Sequence, residues 1–229
     1  MAEISVIYLT ANQISDYFAS NLQRVLREAT DAPIITASLK PTDFGDKNIV
    51  FTTPRGHLNI YWMAYQSALQ ADTKYIAIAE DDVLYSPEHF KHRPSQGKFA
   101  YNISCWGIYT WTEPIFSHRV HGGRRNHGML ICERDLYVEA MKERFDKYPD
   151  WSKVNIDVWA EPGKYERHLG VTERGSETFY TVPPNIMFSH SEGLSKMGKR
   201  KRMGELRAIE LPYWGTAQKI RSLYEKSGA

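Results

Sequence analysis

The sequence predicts an α/β fold, a wound parallel sheet in the first half joined to a more antiparallel second half. Three observations predict it. Apolar, β-branched runs alternate with amphipathic helical stretches through the first 80 residues, the pattern of strand–helix–strand units. After residue 96 the helical stretches thin out, and short aromatic-rich runs are separated by glycine turns. Between the halves, Glu80, Asp81 and Asp82 close the apolar run Tyr75, Ile76, Ala77, Ile78 and Ala79, and open α/β sheets bind ligands beyond the carboxyl ends of their strands.

Taken in order, Ile4 to Leu9 form the first strand. Ile14, Phe18, Leu22, Val25 and Ala29 recur at three- and four-residue spacing and put an apolar stripe on a helix. Residues 33–39 read as a second strand and residues 48–52 as a short third one. Thr53 and Pro54 predict a helix start, a hydroxyl cap followed by proline at the first helical position, with Leu58, Trp62, Tyr65 and Leu69 on its buried face. The strand 74–79 then leads into the acidic triplet. Residues 98–109 read as one edge or antiparallel strand, and the glycine-punctuated run Gly122, Gly123, Arg124, Arg125, Asn126, His127, Gly128 as a turn into the strand 129–132. A helix begins near Asp135, with Tyr137, Met141, Phe145 and Tyr148 on one side. Residues 150–180 show weak periodicity and read as a short helix and loops. The strand 181–188 is broken by Pro183 and Pro184 and is therefore expected at an edge, and residues 208–224 predict a final helix.

The chain has 229 residues, 42% of them hydrophobic and 24% charged, which suits one globular domain with a substantial core. No run approaches the roughly 20 apolar residues of a membrane span. The start of the chain has neither a basic region nor a cleavage site, so a cytoplasmic protein without a signal peptide is expected. Cys105 and Cys132 lie in apolar strand-like stretches and are expected as reduced, buried thiols. The formal charge of +2 says little, but its distribution says more: the stretch Gly193 to Arg202 holds Lys196, Lys199, Arg200, Lys201 and Arg202 and no acidic residue.

Three adjacent carboxylates at the end of a buried strand repel one another and resist losing water. A solvated acidic turn is one way out. A divalent cation is another, since Mg²⁺ and Mn²⁺ prefer hard oxygen ligands and keep phosphate oxygens as co-ligands. The preceding buried strand favours the cation.

The wound first half, the acidic triplet, the run Gly128 to Cys132 and a late histidine, His190, ahead of a basic glycine-containing loop together resemble the GT-A glycosyltransferases, from residue 4 to about residue 204. The triplet matches the family's Asp-X-Asp motif with Glu at the first position. The resemblance implies a GT-A, Rossmann-like sheet in a single domain 1–229: a donor-nucleotide half 1–95, an acceptor half 96–190, and a basic loop with a C-terminal helix 191–229. It implies a nucleoside-diphosphate sugar, a UDP-sugar first among them, as donor for a hexosyltransferase, with Mn²⁺ or Mg²⁺ bridging the diphosphate.

On that mapping Asp82 is the leading metal ligand, Glu80 contributes directly or through water, and His190 is a further ligand. Asp81 contacts the donor sugar or ribose. Thr10 and Asn12, at the end of the first strand, occupy the nucleoside pocket, and Arg55 with Asn59 approaches it; Asn12 is equally suited to cap the first helix. Lys199 and its basic neighbours suit the diphosphate, a solvated surface, or the phosphates of nucleic acid. An acceptor hydroxyl needs a carboxylate base, for which Glu161 and Asp157 lead, with Glu166 behind them. The acceptor is a hydroxyl on a saccharide, a protein, or a hydroxymethylated base in DNA, against which Trp106, Tyr109 and Trp111 are able to stack.

Two other functions fit parts of the sequence. A nucleotidyltransferase would place a glycine-rich basic loop after the first strand, and Thr10, Ala11, Asn12 and Gln13 supply neither glycine nor lysine. A non-catalytic nucleic-acid-binding protein would use the basic cluster but leaves the strand-end carboxylates unexplained.

Overall fold

The structure, a computed structural model, describes residues 2–119, 125–154, 161–194 and 203–225. Strand β1 (Ile4–Thr10) is buried along its whole length. Helix α1 (Asp16–Ala29) follows, its first turn capped by Ser15, whose hydroxyl accepts the Phe18 N–H at 3.3 Å. Strands β2 (Ile34–Ser38) and β3 (Lys47–Val50), helix α2 (His57–Ala68) and strand β4 (Tyr75–Glu80) complete the wound half. All four strands run parallel in the order β4-β1-β2-β3. Alternate residues explain the two-sided burial: Ile7, Leu9, Ile76 and Ile78 face α2, whereas Val6, Tyr8, Ala77 and Ala79 face the α1 side.

Strand β5 (Val83–Leu84) and helix α3 (Pro87–Lys91) come next, then β6 (Lys98–Asn102), β7 (Cys105–Tyr109) and β8 (Phe116–His118). A 3-10 turn, His127–Met129, leads into β9 (Leu130–Glu133), which inserts antiparallel between β4 and β6. Helix α4 (Arg134–Lys147) packs beside α2 over the same face. Strand β10 (Gly175–Phe179) lies parallel to β6 and completes a seven-stranded sheet, β10-β6-β9-β4-β1-β2-β3. A second sheet has the order β12-β8-β7-β11-β5, with β11 spanning Asn185–Ser189 and β12 Leu206–Ala208. Helix α1 packs Phe18 and Leu22 against this sheet, onto Ile108, Phe116, Ile186 and Phe188. The chain then makes a hairpin, β13 (Glu210–Leu211) with β14 (Gly215–Thr216), and a last helix, Ala217–Arg221. Among the described residues no helix is long and apolar enough to cross a membrane.

The α/β class and the change of character between the halves are as the sequence predicts. Several elements differ. Helix α2 starts at His57, not after Thr53, because Asn59 Nδ2 donates to the Pro54 carbonyl at 2.7 Å and keeps residues 53–56 out of the helix. Its buried residues are Tyr61, Met63, Ala64, Tyr65, Ser67 and Ala68; Leu58 and Trp62 pack partly buried against the same core, and Leu69 is 42% exposed. The two alanines among the buried residues let the helix lie close to the sheet. Residues 98–109 are not one strand: β6 and β7 belong to different sheets, separated at Ile103 and Ser104, and both are interior. Strand β11 is likewise interior, since Pro183 and Pro184 end before it begins and take no N–H from its ladder. Of residues 208–224, residues 210–216 form the hairpin, turned by Tyr213 at φ 74° and Gly215 at φ 78°, and the final helix is confined to Ala217–Arg221. Strand β10 lies where periodicity was too weak to predict one.

Where β6 and β10 leave the large sheet for the small one, a buried polar cluster joins the elements. Asn102 Nδ2 donates to Thr181 Oγ1 at 2.9 Å and Ser86 N–H to Asn185 Oδ1 at 2.9 Å. Both amide nitrogens approach His89 Nδ1, at 3.2 and 3.3 Å, which makes that nitrogen the acceptor. Burial, with His92 nearby, pushes the fully buried His89 down to about 3, so the ring is neutral.

Candidate functional site

The register of the large sheet builds the site. Leu9 sits beside Glu80 in the β1–β4 pairing, so the next residues along, Thr10 and Asp81, meet beyond the strand ends. Thr10 Oγ1 donates to Asp81 Oδ2 at 2.6 Å. Burial, then the neighbouring Asp82 charge, pushes the Asp81 carboxyl up to about 6, with the Thr10 hydrogen bond opposing them. Asp82 sits at the joint between the two sheets: its carbonyl accepts from Phe188 N–H at 2.8 Å, and β5 immediately after it pairs with β11. That pairing carries His190, one residue past β11, to the acidic triplet.

His190 Nε2 lies 3.6 Å from Asp82 Oδ2, and its Nδ1 lies 3.0 Å from Glu192 Oε2. Burial acts to lower the His190 pKa, but the two carboxylates outweigh it and hold the pKa above the usual value. Glu192 is itself fixed. Ser191 Oγ donates to its Oε1 at 2.7 Å and Tyr224 Oη to its Oε2 at 3.0 Å. Burial opposes ionisation there, yet these donors and His190 pull the Glu192 carboxyl down to about 2. The second oxygen of Asp82, Oδ1, is buried and has no hydrogen-bond partner among the described residues.

Glu80 is oriented from behind. Its N–H donates to Tyr85 Oη at 3.0 Å, and that buried hydroxyl donates to the Gly128 carbonyl at 2.6 Å. A Cβ at position 128 would lie 2.8 Å from Glu80 Cδ. Any side chain there would push the Glu80 carboxylate aside. Below these groups lies a cavity of about 240 Å³, bordered by Thr10, Asp81, Asp82, His127, Glu161 and His190, with Arg55 at its rim. The guanidinium of Arg55 donates to the Glu192 carbonyl, linking the lip before α2 to the segment after β11.

Glu161 is 7% exposed and stands on a turn held by several bonds. Tyr101 Oη donates to the Pro162 carbonyl at 2.6 Å, Ser176 Oγ to the Gly163 carbonyl at 2.8 Å, and Gly163 N–H to Glu166 Oε1. Glu166 is in turn paired with the fully buried Arg144 at 2.8 Å. A carboxylate on so constrained a turn is presented, not floppy.

The structure thus brings Thr10, Asp81, Glu80, Asp82, His190, Arg55 and Glu161 to one cavity. Glu166, the third carboxylate considered as a base, is spent on the ion pair with Arg144. Asn12 does something else: at φ 51° its Oδ1 accepts from both Leu39 and Lys40 N–H, at 3.0 and 2.9 Å, tying the end of β1 to the end of β2. It does not cap α1; Ser15 does. Asp157 and Lys199, with the rest of the basic cluster, lie outside the described residues. Among the described residues no group of three or more His, Cys, Asp or Glu side chains is gathered to hold a metal ion on protein ligands alone. The residues that sequence reasoning missed are Glu192, Tyr85, His127 and Arg144. Only His127 had a signal, its place in the glycine-punctuated turn. Cys105 and Cys132 are free thiols, and burial pushes Cys105 up to about 12.

His127, like His89, is pushed down to about 3 by burial, with Arg144 adding to the effect. Both histidines take up protons on unfolding below about pH 6.5. Their contribution to stability is therefore present above that pH and lost as pH falls. Asp81 acts oppositely, since its folded pKa is the higher one, and stability falls as it ionises between its ordinary 3.8 and about 6. Between pH 6 and pH 4 wild type should lose about 1 kcal/mol per pH unit relative to a His89→Gln variant. Urea unfolding at several pH values measures it, and parallel curves would mean that His89 titrates as an exposed residue.

No family model matches the chain, and no curated protein matches it. Among solved structures, the fold is similar to a glycosyltransferase involved in the glycosylation of the major capsid of PBCV-1, at 12% identity and TM-score 0.46 over 81% of this chain and 93% of that one. It is also similar to S. aureus TarS, at 12% identity and TM-score 0.47 over 83% of this chain and 37% of that one. The bifunctional IspDF from Campylobacter jejuni gives 10% identity and TM-score 0.45 over 79% of this chain and 50% of that one.

Proposed function

We propose that the protein is a metal-dependent glycosyltransferase that moves a sugar from a nucleoside-diphosphate sugar, a UDP-sugar first, to a hydroxyl acceptor. The observation that carries this is the unpartnered, buried Asp82 Oδ1 with His190 beside its other oxygen, at the joint of two sheets and over a cavity. One carboxylate and one imidazole fit a Mn²⁺ or Mg²⁺ that takes its remaining ligands from diphosphate oxygens and water. Asp82 and His190 would hold the ion, with Glu80 reaching it directly or through water. Glu192 at Nδ1 fixes the ring so that Nε2 faces Asp82, the usual second partner of a metal-binding histidine. When bound, such an ion neutralises charge on the departing nucleoside diphosphate.

The other roles belong to the chain itself. Thr10 steadies Asp81, whose carboxylate orients a ribose or sugar hydroxyl. Arg55 meets the anionic donor at the cavity rim, and Lys199 is the second cation proposed to bind the donor. Glu161 takes the proton from the acceptor hydroxyl as the new bond forms, with Asp157 the other candidate. A hydroxymethylated base in DNA belongs in the acceptor panel, because the exposed Trp111 packs edge-on against Tyr109 and leaves a ring free to stack.

Thermal unfolding tests the proposal. UDP at about 100 times its Kd should stabilise the protein by about 3 kcal/mol, raising Tm by roughly 5–10 °C, only when Mn²⁺ or Mg²⁺ is present. A response to nucleoside triphosphate alone would indicate nucleotidyl transfer, and a response to DNA alone a binding protein.

A further inference from the structure

His127 is absent from the chemistry above, yet it borders the cavity. Its Nε2 lies 2.9 Å from Tyr137 Oη, on α4. Tyr137 is fully buried, and burial raises its hydroxyl pKa well above the ordinary range, so the phenol keeps its proton. Among the described residues His127 is the only hydrogen-bond partner that this hydroxyl has. His127 Nδ1 is buried and has none.

These facts choose a tautomer. With the proton on Nε2, that N–H donates to Tyr137, the phenolic hydrogen has no acceptor, and Nδ1 is an empty acceptor, which makes two unsatisfied groups. With the proton on Nδ1, Tyr137 donates to Nε2 and only Nδ1–H is unsatisfied. Each buried unsatisfied group costs about 1–3 kcal/mol, so the Nδ1–H form is preferred. The ring stays neutral because burial holds its pKa near 3. Tyr61 covers it at 4.4 Å between ring centroids. One edge is therefore locked into the core, and the other carries a donor without an acceptor.

We infer that His127 determines sugar specificity, its Nδ1–H donating to a hydroxyl oxygen of the transferred sugar while Asp81 on the same cavity accepts from a sugar hydroxyl. A neutral donor and a carboxylate acceptor suit a polyol, whose hydroxyls need one of each. The inference deepens the donor-site reading and rests on it for the identity of the ligand.

The first measurement needs no ligand. In ¹⁵N-labelled protein, two-dimensional NMR should show His127 Nδ1 protonated and Nε2 bare, and Tyr137→Phe, which leaves one unsatisfied donor and one unsatisfied acceptor in either form, should abolish that preference and populate the Nε2–H form. An Nε2–H ring in wild type overturns the assignment, and so does an undiminished Nδ1–H population in Tyr137→Phe. The second compares UDP with UDP-glucose, UDP-galactose and UDP-N-acetylglucosamine in Mn²⁺. At least one sugar should bind more tightly than UDP, and His127→Phe should weaken that sugar three- to tenfold while UDP binding holds, about the worth of one hydrogen bond. If His127→Phe does not fold, Tyr137→Phe carries this test. Equal weakening of UDP and UDP-sugar, or no preference for any sugar in wild type, overturns the inference. If UDP itself fails to bind, the donor-site reading falls with the sugar partner named here. The tautomer result then judges the Nδ1–H assignment by itself.

Discussion

Replacing Asp82 by asparagine is expected to cut donor turnover by about a thousandfold or more, in line with losing a group that stabilises charge in the transition state, while the fold survives. The stability half follows from the carboxylates themselves. Asp81 is pushed up first by burial and then by Asp82, so removing the Asp82 charge relieves a repulsion. The Asp82 carbonyl still accepts from Phe188, and β5 still pairs with β11. Tm should hold or rise, and Mn²⁺ should no longer sharpen the response to UDP. Steady-state release of nucleoside diphosphate beside a thermal scan decides it. Retained turnover with an intact metal requirement would move the ion elsewhere.

The second large effect concerns stability. Arg144→Met leaves Glu166 charged and 4% exposed without its partner. Breaking a buried pair from one side costs about 3–5 kcal/mol, or roughly 6–20 °C in Tm for a chain of this size. Removing both charges, as in Arg144→Met with Glu166→Leu, should recover most of that. The double variant still loses the carboxylate that accepts from Gly163 N–H, so the turn bearing Glu161 loosens. A stable but slow double variant is the expected signature. A cost under 1 kcal/mol for Arg144→Met alone would show that the pair is solvated.

The sequence makes the wound half legible because its signals are local. Seven buried residues of β1 and the stripe of α1 follow directly from alternation and helical spacing. The triplet was findable because charge after an apolar run is conspicuous. What failed were features set by distant partners. Residues 98–109 alternate without a break, and only pairing with β10 and β11 shows where the chain changes sheets. Glu192 looks like any surface glutamate until Tyr224, 32 residues on, donates to it. Asn12 was legible as a polar group at a strand end, but its duty, two N–H groups 27 and 28 residues away, was not.

The passage between the sheets has a mechanical meaning. Two parallel lengths of chain, β6 into β7 and β10 into β11, make the crossing side by side, stitched by Ile103 N–H to the Phe179 carbonyl and Asn185 N–H to the Ser104 carbonyl. Asn102 and Asn185 close on His89 between them. A doubled seam of this kind resists shear and torsion together, so it behaves as a weld. The imidazole contributed by one layer is therefore held in fixed alignment with the acids contributed by the other, and adaptation to an incoming substrate falls to the lips of the opening.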